Sequence, residues 1–377
     1  VDGGTGVTTV PVSANTIPQN TNTYINTPTL TAVTGYSYKA YVIDEDGNYT
    51  YGSVQTFTTL ATQPSTAASA VTLTARTTTS ISLSWTNGDG AGRIVVARLT
   101  SSSNVAAADG NDYTFSTSSF TDAGNGTTGT GNIIVYKGTG NSVTISDLNP
   151  GTSYGFYVYE YNGSSNTINY ASAANLTAQY TLAAEPTVQA TISSITPQSN
   201  GNLVINFAAG TGGTGRMVVV RQGSAVDFTP DDANTSYDVN SNFSSGTKYG
   251  AGSDNKVVYV NTGSSITVSG LTPATVYHVA VFEYNGTTTP PRNYLTTLGA
   301  GNTGNATTFA TQPSTAVSNL AMTGNTTTSI SLSWTNGNGA GRIVVARESA
   351  TTNEYAADGT DYSYSSSSFT DAGNGTT

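Results

Sequence analysis

The stretch that decides the fold is SISLSWTNGDGAGRIVVAR, which occupies Ser80–Arg98 and recurs at Ser329–Arg347 with Asn338 in place of Asp89. Polar and apolar residues alternate in SISLSW, which is typical of a strand with one buried face. GRIVVAR follows a turn rich in Gly and Asn, and such turns commonly join two strands. The stretch therefore predicts a strand pair that occurs more than once in the chain.

Three landmarks indicate a repeat of about 125 residues. They are a Pro that precedes the first strand, the aromatic residue after SLS, and the Arg that ends GRIVVAR: Pro64, Pro186 and Pro313; Trp85, Phe207 and Trp334; Arg98, Arg221 and Arg347. The repeat predicts four segments. Residues 1–61 are the C-terminal half of a repeat, 62–183 and 184–310 are complete repeats, and 311–377 are an N-terminal half.

Each half exposes a sheet face that it cannot bury alone, so we expect both ends to be completed. Continuation of a longer polypeptide is one route, in agreement with a sequence that begins at Val1 and stops within the phrase DAGNGTT. The other route is docking of one copy's front half on the back half of the next copy, which would build a head-to-tail filament.

The composition excludes several classes of function. Charged residues make up 9% of the chain, the net charge is −10, and cysteine is absent. An acidic chain without clustered Lys and Arg lacks the charge pattern that binds nucleic acid. No apolar run approaches the roughly 20 residues that span a bilayer. The lack of Cys excludes disulfides, thiolate metal sites and a cysteine nucleophile.

Each complete repeat predicts seven short strands, with no segment of helical periodicity. A long polar insertion follows the third strand, at Leu99–Gly131 and at Gln222–Asp254. Long loops in compact domains are usually functional or disordered. We expect these insertions to pack over the side of the sandwich, or across a neighbouring domain or chain, through Tyr113, Phe115 and Phe120 in the first copy and Phe228, Tyr237 and Phe243 in the second.

The phrases LNPGTSYGFYVYEYNG (148–163) and LTPATVYHVAVFEYNG (271–286) resemble the segment that leads into strand F of fibronectin type III domains. The phrase AYVIDEDGNYTYGSVQTFTT (40–59) is similar to the last strands of such domains in surface proteins of Bacteroidota. The resemblance implies an all-β fold of tandem fibronectin type III-like (immunoglobulin-like) β-sandwiches with an insertion after strand C. The insertion, and Phe207 in place of Trp, depart from the usual pattern.

The same resemblance implies structural roles for two sets of aromatic residues. Tyr36, Tyr154 and Tyr277 correspond to the tyrosine corner, whose hydroxyl group bonds to main chain upstream. Trp85, Phe207 and Trp334 correspond to the core tryptophan of strand B. Ligand binding is the alternative role for the tyrosines.

A repeated Arg–Glu pair is predicted from strand parity. Arg98 shares a sheet face with Ile94 and Val96, and Glu160 shares one with the apolar residues of strand F. Strands C and F are neighbours in this fold, so we expect Arg98 to contact Glu160 and Arg221 to contact Glu283. A ligand-binding arginine is the alternative.

Other ionisable residues offer few sites. His278 is the only histidine and is expected on a strand surface, because one histidine without Cys forms no zinc site or catalytic triad. Asp44 and Asp46 in DEDGN are calcium candidates, since alternating carboxylates around a Gly turn suit a hard cation. Turn chemistry is the alternative there, and no cofactor is otherwise expected. No recurring acid–base pair supports catalysis, so we expect no enzyme in this sequence.

These features favour a structural or adhesive segment of a large secreted cell-surface protein. The resemblance extends to the arrays of giant type IX-secreted adhesins and appendages of Bacteroidota, which attach, glide or seize other cells. The expected partners are neighbouring repeats of the same longer chain, a homo-oligomer or filament, and a glycan or cell-surface molecule, at an extracellular location. The alternative is a spacer or carbohydrate-binding array of a secreted hydrolase.

Overall fold

The structure, a computed structural model, describes residues 30–234, 236–250, 254–348 and 355–377. The regular elements in these ranges are β-strands, apart from two single-turn 3-10 helices at Ser165–Thr167 and Phe243–Ser245. The predicted all-β class is therefore confirmed. Within the described ranges, no helix is both long and apolar enough to cross a membrane.

The chain separates into two compact units. Among the described residues, the first unit holds those up to Ala75, together with Ile81–Asp147 and Tyr154–Gln179. The second unit holds Arg76–Ser80, Leu148–Ser153 and the residues from Tyr180 onward. The predicted segment boundaries at residues 62, 184 and 311 stay a prediction.

The first unit starts with two short antiparallel pairs and continues into the first sandwich. The pairs are formed by β1 (Gly35–Tyr38) with β4 (Gln55–Thr58) and by β2 (Tyr41–Ile43) with β3 (Tyr49–Tyr51). The strands of the sandwich are β5 (Ser69–Arg76), β6 (Ile81–Thr86), β7 (Gly92–Leu99), β8 (Thr127–Gly129), β9 (Asn132–Gly138), β10 (Ser142–Ile145), β11 (Ser153–Asn162), β12 (Asn169–Tyr170) and β13 (Ala174–Tyr180).

These strands form two sheets. One has the order β10-β6-β5, and the other has the order β12-β11-β7-β9-β8 with β13 also paired to β11. Three strands facing a sheet of four long strands is the fibronectin type III-like arrangement of the immunoglobulin-like sandwiches. The seven long strands are those predicted, and β8 and β12 are short additions.

The second sandwich repeats this plan. Its strands are β14 (Thr191–Pro197), β15 (Leu203–Ala208), β16 (Gly215–Gln222), β17 (Asn255–Asn261), β18 (Ser265–Val268), β19 (Val276–Asn285), β20 (Asn293–Tyr294) and β21 (Thr303–Thr307). The sheet orders are β14-β15-β18 and β17-β16-β19-β20, with β21 paired to β19. The predicted insertions match the interval between β7 and β9 and the interval between β16 and β17.

The core between the sheets comes from alternating residues of facing strands. In the second sandwich, Leu203, Ile205 and Phe207 of β15 pack in one buried cluster with Val279 and Val281 of β19. In the first sandwich, β6 shows the same alternation, with Ile81, Leu83 and Trp85 buried and the intervening serines half-buried. The SISLSW pattern thus places its apolar face against the opposite sheet.

A second core lies on the other face of the larger sheet, under the insertion. In the first sandwich it combines Ile94 and Val96 of β7 with Tyr157 and Tyr159 of β11, and Phe115 of the insertion packs against them. Strand β7 is therefore buried on both faces from Gly92 to Ala97. A strand covered on both sides reads as a continuous apolar run, which explains the sequence RIVVA.

The same sequence has a different environment near the end of the chain. Strands β22 (Ser318–Asn325) and β23 (Ile330–Thr335) pair with each other. Residues 341–348 form no strand, and Ile343, Val344 and Val345 are 57%, 55% and 51% exposed. Their counterparts Ile94–Val96 are fully buried, because β9, β11 and the insertion surround β7.

Candidate functional site

A buried Arg–Glu pair joins β7 to β11 in the first sandwich. Arg93 Nε lies 2.8 Å from Glu160 Oε1, and Glu160 is fully buried while Arg93 is 6% exposed. The guanidinium group also donates to the carbonyl oxygens of Gly88, Gly90 and Thr139. A charge removed from water needs such partners, since desolvation costs several kcal/mol per ion.

The second sandwich contains the same pair. Arg216 Nε donates to Glu283 Oε2 at 3.1 Å and Nη2 donates to Oε1 at 3.2 Å, so the contact is bidentate. Glycine residues before the strand provide the space. A β-carbon at Gly213 would lie 2.2 Å from Glu283 Cγ, so a side chain is excluded there. A Gly-rich turn followed by Arg is therefore a requirement of the pair.

The predicted partners of the glutamates were wrong. Glu160 contacts Arg93 and not Arg98, and Glu283 contacts Arg216 and not Arg221. The reason is the antiparallel register of the two strands. Glu160, near the end of β11, lies opposite Arg93 at the start of β7, while Arg98 at the end of β7 lies opposite Gly155. Because directly opposed residues share a sheet face, this register also places Arg98 and Glu160 on opposite faces of the sheet, so parity within each strand was not sufficient to pair them.

Arg98 and Arg221 instead contact the insertions that follow them. Arg98 Nη2 donates to the Tyr157 hydroxyl at 2.7 Å, and the guanidinium carbon lies 5.3 Å from the centre of that ring. Arg221 Nη1 pairs with Asp227 at 2.8 Å and donates to the carbonyl oxygen of Ala225. Both arginines therefore hold the start of an insertion against the sheet.

Two of the three predicted tyrosine-corner residues make the expected bond to the main chain upstream. Tyr36 and Tyr277 accept hydrogen bonds at their hydroxyl groups from the main-chain N–H groups of Thr31 (3.0 Å) and Thr272 (2.8 Å). Tyr154 is fully buried, and its ring packs edge-on against Phe120 of the insertion at 5.2 Å. These positions agree with a structural role.

The strand-B aromatics occupy the core in the complete sandwiches. Trp85 and Phe207 are both buried. Trp85 packs edge-on against Tyr136 of the facing sheet, and Phe207 packs in the same way against Tyr259. The Trp85 indole N–H has no hydrogen-bond partner. Phenylalanine at the second copy keeps the ring contact without that unpaired donor. Trp334, in the last segment, is 38% exposed.

The calcium candidates lie in the hairpin turn between β2 and β3. Asp44 accepts hydrogen bonds from the main chain of Asp46 and Asn48 and from the Asn48 side chain, at 2.8–3.0 Å. The bond from the Asn48 side chain is the main cause of a lowered pKa of Asp44. Among the described residues, no group of three or more His, Asp or Glu side chains could hold a metal ion. Calcium binding stays a prediction, and His278 is a half-buried residue of β19.

The insertions pack on the sheet through the predicted aromatic residues. Phe228 and Tyr237 are buried in the second core of their sandwich, and Phe243 is buried in the core between the sheets. Tyr113 and Phe115 pack against the second core of the first sandwich. The expectation that the insertion covers the side of its own sandwich is confirmed.

A groove opens in the first sandwich between its insertion and its larger sheet. The volume is about 490 Å³. Its floor consists of Tyr157, Tyr159 and Tyr170, which are only 4–7% exposed. The Tyr157 hydroxyl accepts two hydrogen bonds from Arg98, and the Tyr170 hydroxyl donates to the carbonyl oxygen of Asn111. The floor is therefore held in a fixed geometry.

The walls of the groove carry small and polar side chains. The insertion contributes Asn104, Ala106, Ala107 and Asp109, and Gln63 also lines the groove. Asp109 Oδ1 accepts from the main-chain N–H of Tyr170 at 2.8 Å, and Gln63 Nε2 donates to the Tyr170 carbonyl oxygen. The lining also includes Ala171, Ser172, Ala173 and Asn175. Asp109 is the only ionisable side chain of the walls.

Burial controls the titration of the tyrosines in the second cores. Burial is the main cause that raises the pKa of Tyr170, and the Asp112 carboxylate raises it further. Burial likewise raises the pKa of Tyr294 to about 12, against the opposing effect of Arg292. Both phenols therefore stay neutral far above neutral pH, as hydrogen-bonding groups rather than acids.

Several residues that build these sites were not singled out from the sequence. Arg93 and Arg216 were missed, although a Gly-rich turn directly before an Arg was the available signal. Asn132 was also missed. It is fully buried, and its side chain binds the main chain of Ser103, Val105 and Thr130, which closes the base of the insertion. A lone Asn after a polar loop gives no such signal.

Residues 68–172 match the family model described as "Purple acid Phosphatase, N-terminal domain". No curated protein matches the chain.

Similar solved structures include a two-domain fibronectin type III segment of chicken tenascin, which is 13% identical. The match covers 61% of this chain and 99% of the tenascin segment, at a TM-score of 0.27. They also include the FN1–FN3 domains of chicken CNTN1, which are 15% identical. This match covers 72% of this chain and 77% of the CNTN1 chain, at a TM-score of 0.32.

Proposed function

We propose that the chain is a structural and adhesive segment of a large secreted cell-surface protein. Such a segment would extend an adhesin or an extracellular filament used in attachment, gliding or seizing other cells. The observation that carries the proposal is the repeated construction of the two sandwiches. Each has a core between its sheets, a second core under its insertion, and a buried Arg–Glu pair across the central strands.

This construction supports a load-bearing role. Strands β7 and β11 pair over their whole length, from Tyr154 opposite Leu99 to Tyr161 opposite Gly92. The insertion covers this central pair of strands. The buried ion pair joins the same two strands at the end where β7 begins. Pulling the strands apart requires the second core and the ion pair to break together. A low content of charged residues suits an extended protein surface that stays in solution without a strong electrostatic field.

Force spectroscopy on the 377-residue chain tests the mechanical part. We expect two similar unfolding events, each releasing about 400 Å of chain, since roughly 120 residues extend by about 3.3–3.6 Å each. Release of both sandwiches at negligible force would contradict the role. Antibodies against the sandwiches test the location, because they should label intact cells. Labelling only after the cells are permeabilised would overturn the surface proposal.

A second candidate is a spacer in a secreted hydrolase. It is favoured by the match of residues 68–172 to the N-terminal domain of purple acid phosphatases. In this candidate the sandwiches position a catalytic module of the same polypeptide. Mass spectrometry of the native protein distinguishes the two, because a polypeptide that carries a hydrolase module supports the spacer and one with further sandwiches supports the adhesin.

The partners proposed for the segment follow from the same reasoning. They are neighbouring repeats of the same chain, further copies in a homo-oligomer or filament, and a glycan or other molecule on a target surface. Calcium at Asp44 and Asp46 remains a candidate ligand that a binding measurement would decide.

A further inference from the structure

We infer that the groove of the first sandwich binds a short neutral saccharide. This inference deepens the adhesive part of the proposed function and rests on it. The groove is the space between Tyr157, Tyr159 and Tyr170 on its floor and the side chains of the insertion. Its volume of about 490 Å³ lies within the range of about 300–1,000 Å³ that is usual for small-molecule sites.

The chemistry of the lining selects an uncharged ligand rich in hydroxyl groups. Three side-chain amides line the groove, those of Gln63, Asn104 and Asn175, and each offers both a donor and an acceptor. The exposed Asp109 adds a carboxylate whose Oδ1 binds the Tyr170 N–H, which leaves Oδ2 as an acceptor for a sugar hydroxyl. Adjacent hydroxyl groups of a pyranose ring match such paired donors and acceptors.

Charged and fully apolar ligands fit less well. Among the described residues that line the groove, none is Lys or Arg. Arg98, which contacts the Tyr157 ring, is held by the Tyr157 hydroxyl and by the carbonyl oxygens of Leu99 and Thr100. An anion would therefore meet Asp109 without a cation to offset the repulsion. An apolar ligand would displace water from the exposed amides of Asn104 and Asn175 without replacing its hydrogen bonds.

The floor and the alanines complete a surface for the carbon face of a sugar. Ala106, Ala107, Ala171 and Ala173 line the groove together with the three tyrosines. The Tyr157 hydroxyl accepts from Arg98, so its own proton remains to donate. Tyrosine, with an apolar ring and a polar tip, is suited to a ligand that carries both kinds of surface.

The second sandwich fills the corresponding space with its own side chains. There the floor has Ala280 in place of Tyr157, and Phe282 in place of Tyr159. Val226 and Phe228 of the insertion pack in one buried cluster with these residues. The first sandwich instead has small residues above large tyrosines, which leaves the groove open.

Two of three polar rim residues, Gln63 and Asn104, differ between the two types of repeat, while the Asp is shared. Gln63, Asn104 and Asp109 recur in sequence as Gln312, Asn353 and Asp358, while the middle copy has Glu185, Asp227 and Asp232 at these places. Asn353 lies outside the described residues. Asp227 of the middle copy is paired with Arg221. The full set of rim residues thus recurs in sequence with the first type of repeat, and the middle copy uses the Asn104 position for an ion pair.

Titration of the 377-residue chain with short cello-, xylo-, manno- and chito-oligosaccharides tests the inference by calorimetry and by NMR of the side-chain amides. We expect at least one of these neutral sugars to bind and to shift the amide signals of Asn104 and Asn175. Ala106→Phe, which fills the groove, should weaken binding by at least about tenfold. Ala108→Phe is the matched control, because Ala108 is an exposed residue of the same loop that does not line the groove. It should bind like the parent chain.

Three results would overturn the inference: binding of none of these sugars, unchanged binding by Ala106→Phe, or binding only of an acidic oligosaccharide such as a heparin fragment. Asn104→Ala gives a second variant that does not fill space, and it should also weaken binding while the circular dichroism spectrum is retained. Failure here removes the saccharide site alone, since surface labelling and force spectroscopy test the proposed function without any sugar.

Discussion

Removal of Arg93 should destabilise the first sandwich far more than removal of both partners of its ion pair. Arg93→Met leaves the Glu160 carboxylate fully buried without its cation. Breaking a buried pair in this way costs about 3–5 kcal/mol of unfolding free energy. The double variant Arg93→Met, Glu160→Leu removes both charges. It still leaves the Gly88 N–H without its acceptor, since that group donates to Glu160 at 2.7 Å, so a cost of about 1–3 kcal/mol is expected.

Urea unfolding followed by tryptophan fluorescence measures these values. The chain has two tryptophans, and Trp334→Phe leaves Trp85, which is 4% exposed, as the reporter of the first sandwich. Arg98→Met is the control, because Arg98 binds neutral groups and its loss should cost about 0.5–1.5 kcal/mol. The reasoning fails if Arg93→Met costs no more than Arg98→Met. It also fails if the double variant is as unstable as Arg93→Met alone.

Three further outcomes are expected. The second sandwich should lose stability as the pH rises from about 10, the ordinary pKa of tyrosine, towards about 12, the raised pKa of Tyr294. Over this interval the unfolded chain releases the proton while the folded chain keeps it. Urea unfolding by circular dichroism should show the loss, and Tyr294→Phe should reduce its slope with pH. Tyr277→Phe removes the acceptor of the Thr272 N–H and should lower the free energy of unfolding by about 1–3 kcal/mol. Tyr36→Phe, at a more exposed corner, should change amide hydrogen exchange of its own segment only. Equal losses of stability in the two variants would contradict the assignment of Tyr277 as the buried corner. Phe228→Ala should lower the free energy of unfolding by about 3 kcal/mol, as for other buried phenylalanines, and should speed amide exchange across the second insertion. The control Tyr355→Ala, at a ring that is 84% exposed, should change neither quantity. Slow exchange in Phe228→Ala would argue against the second core.

The positions of the strands and of the insertions could be predicted from the sequence. SISLSW forms a strand because its alternation lets one face be buried, and this is a local property of a few residues. The insertion limits Leu99–Gly131 and Gln222–Asp254 follow from the end of one apolar run and the start of the next. The tyrosine corner likewise depends on a short phrase, so Tyr36 and Tyr277 have their expected main-chain partners.

The partners of the charged residues were decided by the tertiary structure. Parity grouped Arg98 and Glu160 with neighbours of their own strands, but the antiparallel register placed Glu160 beside Arg93 and on the sheet face opposite to Arg98. Register is a relation between strands about sixty residues apart, and no short pattern encodes it. The groove also depends on such relations, because it exists only where Ala106 and Ala107 of the insertion lie over Tyr157 and Tyr159 of β11.

The repeated stretch itself shows which properties depend on the local sequence and which depend on the tertiary structure. RIVVA has the same sequence at 93–97 and at 342–346. In the first sandwich it is a strand buried on both faces, while Ile343, Val344 and Val345 are more than half exposed. The sequence determined that this segment is apolar and suited to a strand. Its burial was decided by β9, β11 and the insertion, because hydrophobic burial requires a second surface that the segment does not contain.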